Sequence, residues 1–157
     1  MITLLTENIE KLMNIDTELF KFKLNNQMEN SFQFFHNKPL NGEIIGDKLI
    51  AKINPPIGMV DGLKSIVSGE IKKENNFTRL TLKIEPNLIV LLFVFVWEGL
   101  VLLCLIKFSF LNISQTVRFV IIMLTWALIP IILTRLKLKW DKSRLNKLIE
   151  GIILNVT

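Results

Sequence analysis

Residues 87–108, NLIVLLFVFVWEGLVLLCLIKF, hold a single acid, Glu98, and no base before Lys107. At 1.5 Å per residue this run is long enough to cross a hydrocarbon layer about 30 Å thick. A second run, FVIIMLTWALIPIILT, fills residues 119–134 between Arg118 and Arg135. It is slightly short, and the two arginines can snorkel to the interfaces and extend its reach. The polar segment between the runs, near KFSFLNISQT, is too short for a domain. Residues 86–136 therefore read as an antiparallel transmembrane hairpin. The preceding portion, residues 1–85, could not cover two such helices in a soluble fold.

The rest of the composition agrees. Half of the 157 residues are hydrophobic and the mean hydropathy is +0.44, an excess concentrated in the two runs as in a membrane protein. Residues 1–85 hold 11 basic and 11 acidic residues, so the net charge of +5 lies wholly in residues 86–157. A basic surface for nucleic acid is not expected. Arg135, Lys137, Lys139, Lys142, Arg144 and Lys147 crowd behind the second run, against Lys107 and Arg118 in the loop. The excess of basic residues predicts both termini in the cytoplasm, in a two-pass protein of the inner (plasma) membrane. The start, MITLLTENIEKLMNID, has acids where a signal peptide carries bases, so residues 1–85 are expected to stay in the cytoplasm.

Glu98 is the costly group in this hairpin, at about 3 kcal/mol on insertion scales. Antiparallel geometry sets it near the depth of Thr125 and Trp126. Pro130 has no N–H, which frees the Trp126 carbonyl four residues earlier. Glu98, Thr125, Trp126 and Pro130 thus form an expected intramembrane polar cluster, a clasp between helices or a contact between copies. A proton-sensing role would require an oligomer, because two spans cannot enclose a pore.

Residues 137–157 place Leu145, Leu148, Ile149, Ile152 and Ile153 at helical spacing. Such a basic amphipathic helix can lie on the anionic inner leaflet or pack on the N-terminal domain or a partner. Its charge favours the leaflet, with Arg135, Lys137, Lys139, Trp140, Lys142, Arg144 and Lys147 as the contacts.

The cytoplasmic portion reads as α+β. Leu4, Leu5, Ile9, Leu12 and Met13 share one helical face, predicting a short helix over 3–14. LFKFKLN, residues 19–25, alternates apolar and basic residues and is read as a strand in preference to a continued helix. From residue 31 the period becomes two. Strands are expected near 32–36, 40–45 and 48–53, the last two turning at Gly46-Asp47. A further pair, LKSIVSGEIKKE and FTRLTLKIE, turns at Asn75-Asn76 and ends at Pro86. The expected fold is a small N-terminal helix plus an antiparallel sheet of four or five strands in residues 1–85, then the two-helix hairpin and the C-terminal amphipathic helix.

The run Asn37-Lys38-Pro39-Leu40 with Gly42 and Ile44, then Gly46-Asp47-Lys48-Leu49, Ser68-Gly69-Glu70-Ile71, and Thr78 with Leu80, resembles a family of small bacterial membrane proteins with an N-terminal strand-rich domain and two C-terminal spans. Asp141, Lys142 and Leu145 are similar to that family's tail, whereas the loop PPIGMVDGLKSIV departs from it. The resemblance implies architecture and carries no activity.

No catalytic, cofactor or metal residue is expected. His36 is the lone histidine and Cys104 the lone cysteine, so neither a disulfide within the chain nor a Cys/His metal centre can be built. Ser65 and the other serines lack a nucleophile motif. Gly58 and Gly62 precede no phosphate loop. Two glycosylation sequons, at Asn76 and Asn112, read as chance matches. The expected role is a membrane-anchored binding or regulatory module that is not an enzyme, its partners the bilayer and a second copy or another protein. An oligomeric membrane effector or channel-like protein with a toxin, immunity or defence role is the alternative, and a membrane-bound enzyme ranks below both.

Overall fold

The computed structural model describes residues 5–29, 38–54, 64–108 and 113–154, and the side chains of these apart from 107–108 and 113–119. The fold is α+β, a six-stranded mixed sheet with three helices, two of them long and apolar enough to cross a membrane. Strands β1 (Glu7–Met13), β2 (Met28–Glu29), β3 (Leu40–Ile45), β4 (Lys48–Ile53), β5 (Ile66–Glu74) and β6 (Phe77–Glu85) lie in the order β1-β6-β5-β4-β3-β2. All neighbours are antiparallel except β2 and β3, which are parallel.

The hairpins fall where the turn residues put them. Gly46 takes a φ of +61° between β3 and β4, and Asn75 a φ of +56° between β5 and β6. Both are residue types that reach the left-handed region at low cost. In β6, Thr78, Leu80, Leu82 and Ile84 are buried while Phe77, Arg79, Thr81 and Lys83 face out. Gly69 lets β5 approach β6, for a side chain there would collide with the Thr81 carbonyl.

Two expectations for the N-terminal part are overturned. Residues 7–13 are not a helix but edge strand β1, running from Glu7 opposite Ile84 to Met13 opposite Thr78. Leu5, Ile9 and Met13, spaced by four, share a strand face as readily as a helix face. The free edge of β6 decides between the two, and Leu12 is left 60 % exposed. Residues 19–25 are not a strand but lie in helix α1 (Thr17–Asn26). Asp16 caps it, accepting from the amides of Glu18 (3.0 Å) and Leu19 (3.1 Å). Phe20 and Leu24, one turn apart, are buried, and Phe22 is exposed. The helix carries the chain from β1 at one edge of the sheet to β2 at the other. The strand expected at 32–36 lies outside the described residues.

Helices α2 (Leu88–Phe108) and α3 (Ile113–Leu154) have 21 and 42 residues. The most apolar stretch of α2 is only 17 % buried within the chain and that of α3 only 11 %. α3 does not stop at the end of its apolar run. It continues as one helix onto the sheet, where Leu138, Leu145, Ile149 and Ile152 join the core with Phe20 and Leu24. The apolar face expected on the inner leaflet therefore covers the sheet.

Polar contacts fix this packing. Glu7 and Lys11, on the covered face of β1, meet Lys142 and Glu150 of α3, each at 2.9 Å. The Thr78 hydroxyl donates to the Ile15 carbonyl (2.7 Å), so its contact with Thr17 (2.9 Å) is donated by Thr17. Lys21 of α1 binds Glu18 and Asp47, at 3.0 and 2.8 Å. The hydrogen bond with Asp47 raises the Lys21 pKa above its ordinary value, and the same bond lowers that of Asp47.

If α3 completes the core, Ile149→Ala destabilises the full chain by about 2–5 kcal/mol, and Leu154→Ala, at a 73 % exposed position, by less than about 0.5 kcal/mol. Unfolding in detergent measures both. Because the folded pKa of Asp47 is lowered from 3.8, its contribution is complete above that value and is lost as pH falls through the folded one. The stability difference between the natural chain and Asp47→Asn is therefore expected at pH 7 and to vanish in acid below the lowered value. Persistence of that difference in acid would refute the pairing.

Candidate functional site

Where α2 and α3 leave the sheet they form a half-open cavity of about 350 Å³, within the range of small-molecule sites. Val90, Phe93 and Trp97 line it from α2, and Trp126, Ile129, Pro130, Leu133, Thr134 and Lys137 from α3. The spacing i, i+3, i+7 on α2 puts its three residues on one helical face. Ser65, just before β5, closes the end nearest the sheet with Pro86 and Leu138.

The wall farthest from the sheet is aromatic. The rings of Trp97 and Trp126 stack at 5.8 Å, and Phe93 lies 6.0 Å from Trp97. Trp97 Nε1–H donates to the Trp126 carbonyl at 3.0 Å, which has no donor from residue 130 because that residue is proline. One turn on, the buried Thr134 hydroxyl donates to the Pro130 carbonyl at 2.7 Å.

At the sheet end, Asp141 is 2 % exposed and Ser65 1 %. Ser65 Oγ donates to Asp141 Oδ2 at 2.6 Å, and Lys137 Nζ donates to the same oxygen at 2.7 Å and to Ser65 Oγ at 2.9 Å. Lys137 and Asp141 are one turn apart on α3, while the Ser65 carbonyl takes the Ile53 amide at 2.9 Å. The cluster thereby ties α3 to the start of β5. An ion pair with one buried partner, Asp141, and one part-buried partner, Lys137, is costly to break on the buried side.

Of the expected polar cluster, Trp126 and Pro130 line the cavity. Thr125 instead donates within its own helix to the Ile121 carbonyl, at 2.9 Å. Glu98 does not take the Trp126 carbonyl. Its neighbour Trp97 does, and Glu98 Oε1 is buried without a hydrogen-bond partner among the described residues. Of the residues expected on the inner leaflet, Lys137, Lys142 and Arg144 are engaged with the domain, Arg144 through the Asn54 carbonyl at 3.1 Å. Arg144 also stacks over Trp140, 5.1 Å from its ring centre. Arg135, Lys139, Trp140 and Lys147 are exposed. The i, i+4 spacing of Lys137 and Asp141 is visible in the sequence, but the role of Ser65 is not, because its partners lie 72 and 76 residues away.

No protein-family model matches the chain, and no curated protein or solved structure matches it. The resemblance drawn from glycines and alternating residues gains no support from these comparisons. Among the described residues no group of three or more His, Cys, Asp or Glu could hold a metal ion.

Asp141, whose carboxylate is partnered, and Glu98, whose Oε1 is not, predict opposite mutational signs. Asp141→Ala strands Lys137 and Ser65 and is expected to destabilise by about 3–5 kcal/mol. Glu98→Leu removes an unpartnered oxygen and is expected to stabilise by about 1–3 kcal/mol. Unfolding of each full-length variant in detergent checks both, and equal signs would refute the assignment.

Proposed function

We propose that this protein is a two-pass integral membrane protein that acts as a membrane-anchored binding module. In this reading α2 and α3 cross the bilayer as a hairpin, with the sheet on the cytoplasmic side. The observation that carries it is the continuity of α3, one helix from a largely exposed apolar stretch into the core of the sheet. In this reading a displacement of the hairpin reaches β5 through Lys137, Asp141 and Ser65. The length of α2, about 31 Å at 1.5 Å per residue, matches the hydrocarbon layer. Exposed Arg135, Lys139 and Lys147 supply positive charge at its cytoplasmic edge. Trp140, also exposed, suits the same interface.

The topology is tested in a Cys104→Ala background, which has no other cysteine. Ser109→Cys is expected to react with an impermeant thiol reagent added outside intact cells, and Lys147→Cys only after the membrane is opened. Labelling of both from one side, or release of the protein from membranes by alkaline carbonate, would refute the proposal.

A further inference from the structure

We propose that the cavity between α2 and α3 holds one acyl chain of a phospholipid from the cytoplasmic leaflet, with headgroup oxygens bound at Lys137. This rests on the membrane-spanning reading above.

The chemistry of the lining selects such an occupant. Nearly every polar group along the cavity is already engaged. The Trp97 N–H is used by the Trp126 carbonyl, the Thr134 hydroxyl by the Pro130 carbonyl, and the Ser65 hydroxyl by Asp141. Lys137 is different. An ammonium has three N–H donors, and two go to Ser65 and Asp141. One donor remains, at one end of an otherwise apolar space.

A void of about 350 Å³ could hold several waters, but a water needs 2–4 polar partners and these walls do not offer them. Left empty, the lining would lose its dispersion contacts on that side. A ligand with many polar atoms would lose hydrogen bonds on entry. What fits is an apolar chain with acceptor oxygens at one end. The distance from Trp126 to Lys137 along α3 is about 16 Å at the helical rise, which suits a chain lying along the helices.

The direction of entry identifies the source. Phe93 and Leu133, on the rim, are each more than half exposed and face the hydrocarbon of a bilayer. Lys137 lies beside the exposed basic residues Arg135 and Lys139, at the depth of anionic headgroups. A leaflet lipid can therefore slide one chain between the helices while its head stays at the interface.

The test uses two native reporters, since Trp97 and Trp126 line the cavity. The full chain in detergent at fixed micelle concentration is titrated with phosphatidylglycerol brominated on its acyl chains, and quenching of tryptophan fluorescence is read. Saturable quenching that unbrominated phosphatidylglycerol reverses is expected. Val90→Phe, which narrows the cavity from α2, is expected to weaken it at least about tenfold, a change of about 1.4 kcal/mol. Lys137→Met should weaken it by a similar factor. Should that variant not fold, Lys137→Met with Asp141→Leu replaces the buried pair as a unit and should show the same loss.

Quenching that does not saturate, or that is unchanged in Val90→Phe, overturns the proposal. Saturable quenching by a brominated fatty acid but not by the phospholipid overturns the assignment to a leaflet lipid. Carbonate extraction reports membrane insertion independently of quenching, so failure of the cavity assignment is distinguishable from failure of the spanning reading.

Discussion

The sheet has one apolar face to cover, and α1, with ten residues, is too short to cover it alone. The remainder falls to the last third of α3, whose Leu145, Ile149 and Ile152 complete the core. Most of the architecture follows from that packing. α3 continues past its apolar stretch, and among the described residues that continuation takes the covered sides of β1 and β6 out of water. Burial of this kind is the dominant favourable term in folding, and a domain this small has little to spare. The stability of the sheet and the placement of the apolar helices are therefore set by one helix.

Covering a face that contains the part-buried Glu7 and Lys11 creates a second constraint, since charges drawn away from water favour partners. α3 supplies Lys142 and Glu150 opposite them. Nearer the apolar stretches the same logic gives the Ser65–Asp141–Lys137 cluster. These pairs add little net energy against an apolar alternative. Their effect is on register, because a rotation of α3 by one residue, about 100°, would separate each of them. Apolar packing holds α3 on the sheet, and the ion pairs fix which way it faces.

Much of this is legible in the sequence and some is not, for physical reasons that differ by element. The alternation in Thr78–Ile84 and the turns at Gly46 and Asn75 are local signals, and β3 to β6 fall where those signals place them. β1 is ambiguous by arithmetic, since a spacing of four is even and serves both periods; the partner that resolves it, β6, lies at the far end of the domain's sequence. α1 carries a usable signal in Asp16, an N-cap residue with Glu18 in the first turn, but the alternation of Phe20, Phe22 and Leu24 against lysines points the other way. At the site, Pro130 correctly identifies a carbonyl without its helical donor. Depth alone pairs that carbonyl with Glu98 in place of Trp97, a difference of one residue and so of about 100° around α2. Ser65 has no local signature at all.

The unpartnered oxygen of Glu98 and the nearly saturated walls of the cavity are two outcomes of the same geometry. Turning Trp97 toward α3 satisfies the Trp126 carbonyl and builds the aromatic wall, but it commits the adjacent position to a different face. Glu98 cannot then reach the carbonyl that Pro130 exposes. The rings of Trp97 and Trp126 stack across the helix pair at one end of the cavity, and the smaller Val90 and Leu133 line it nearer the sheet. The most polar residue of α2 is thus excluded from the site, and the unused donor of Lys137 comes from the helix that also completes the core. An occupant that takes this donor becomes the third partner of the ammonium that already ties α3 to the start of β5, which is how binding between the two helices would reach the sheet.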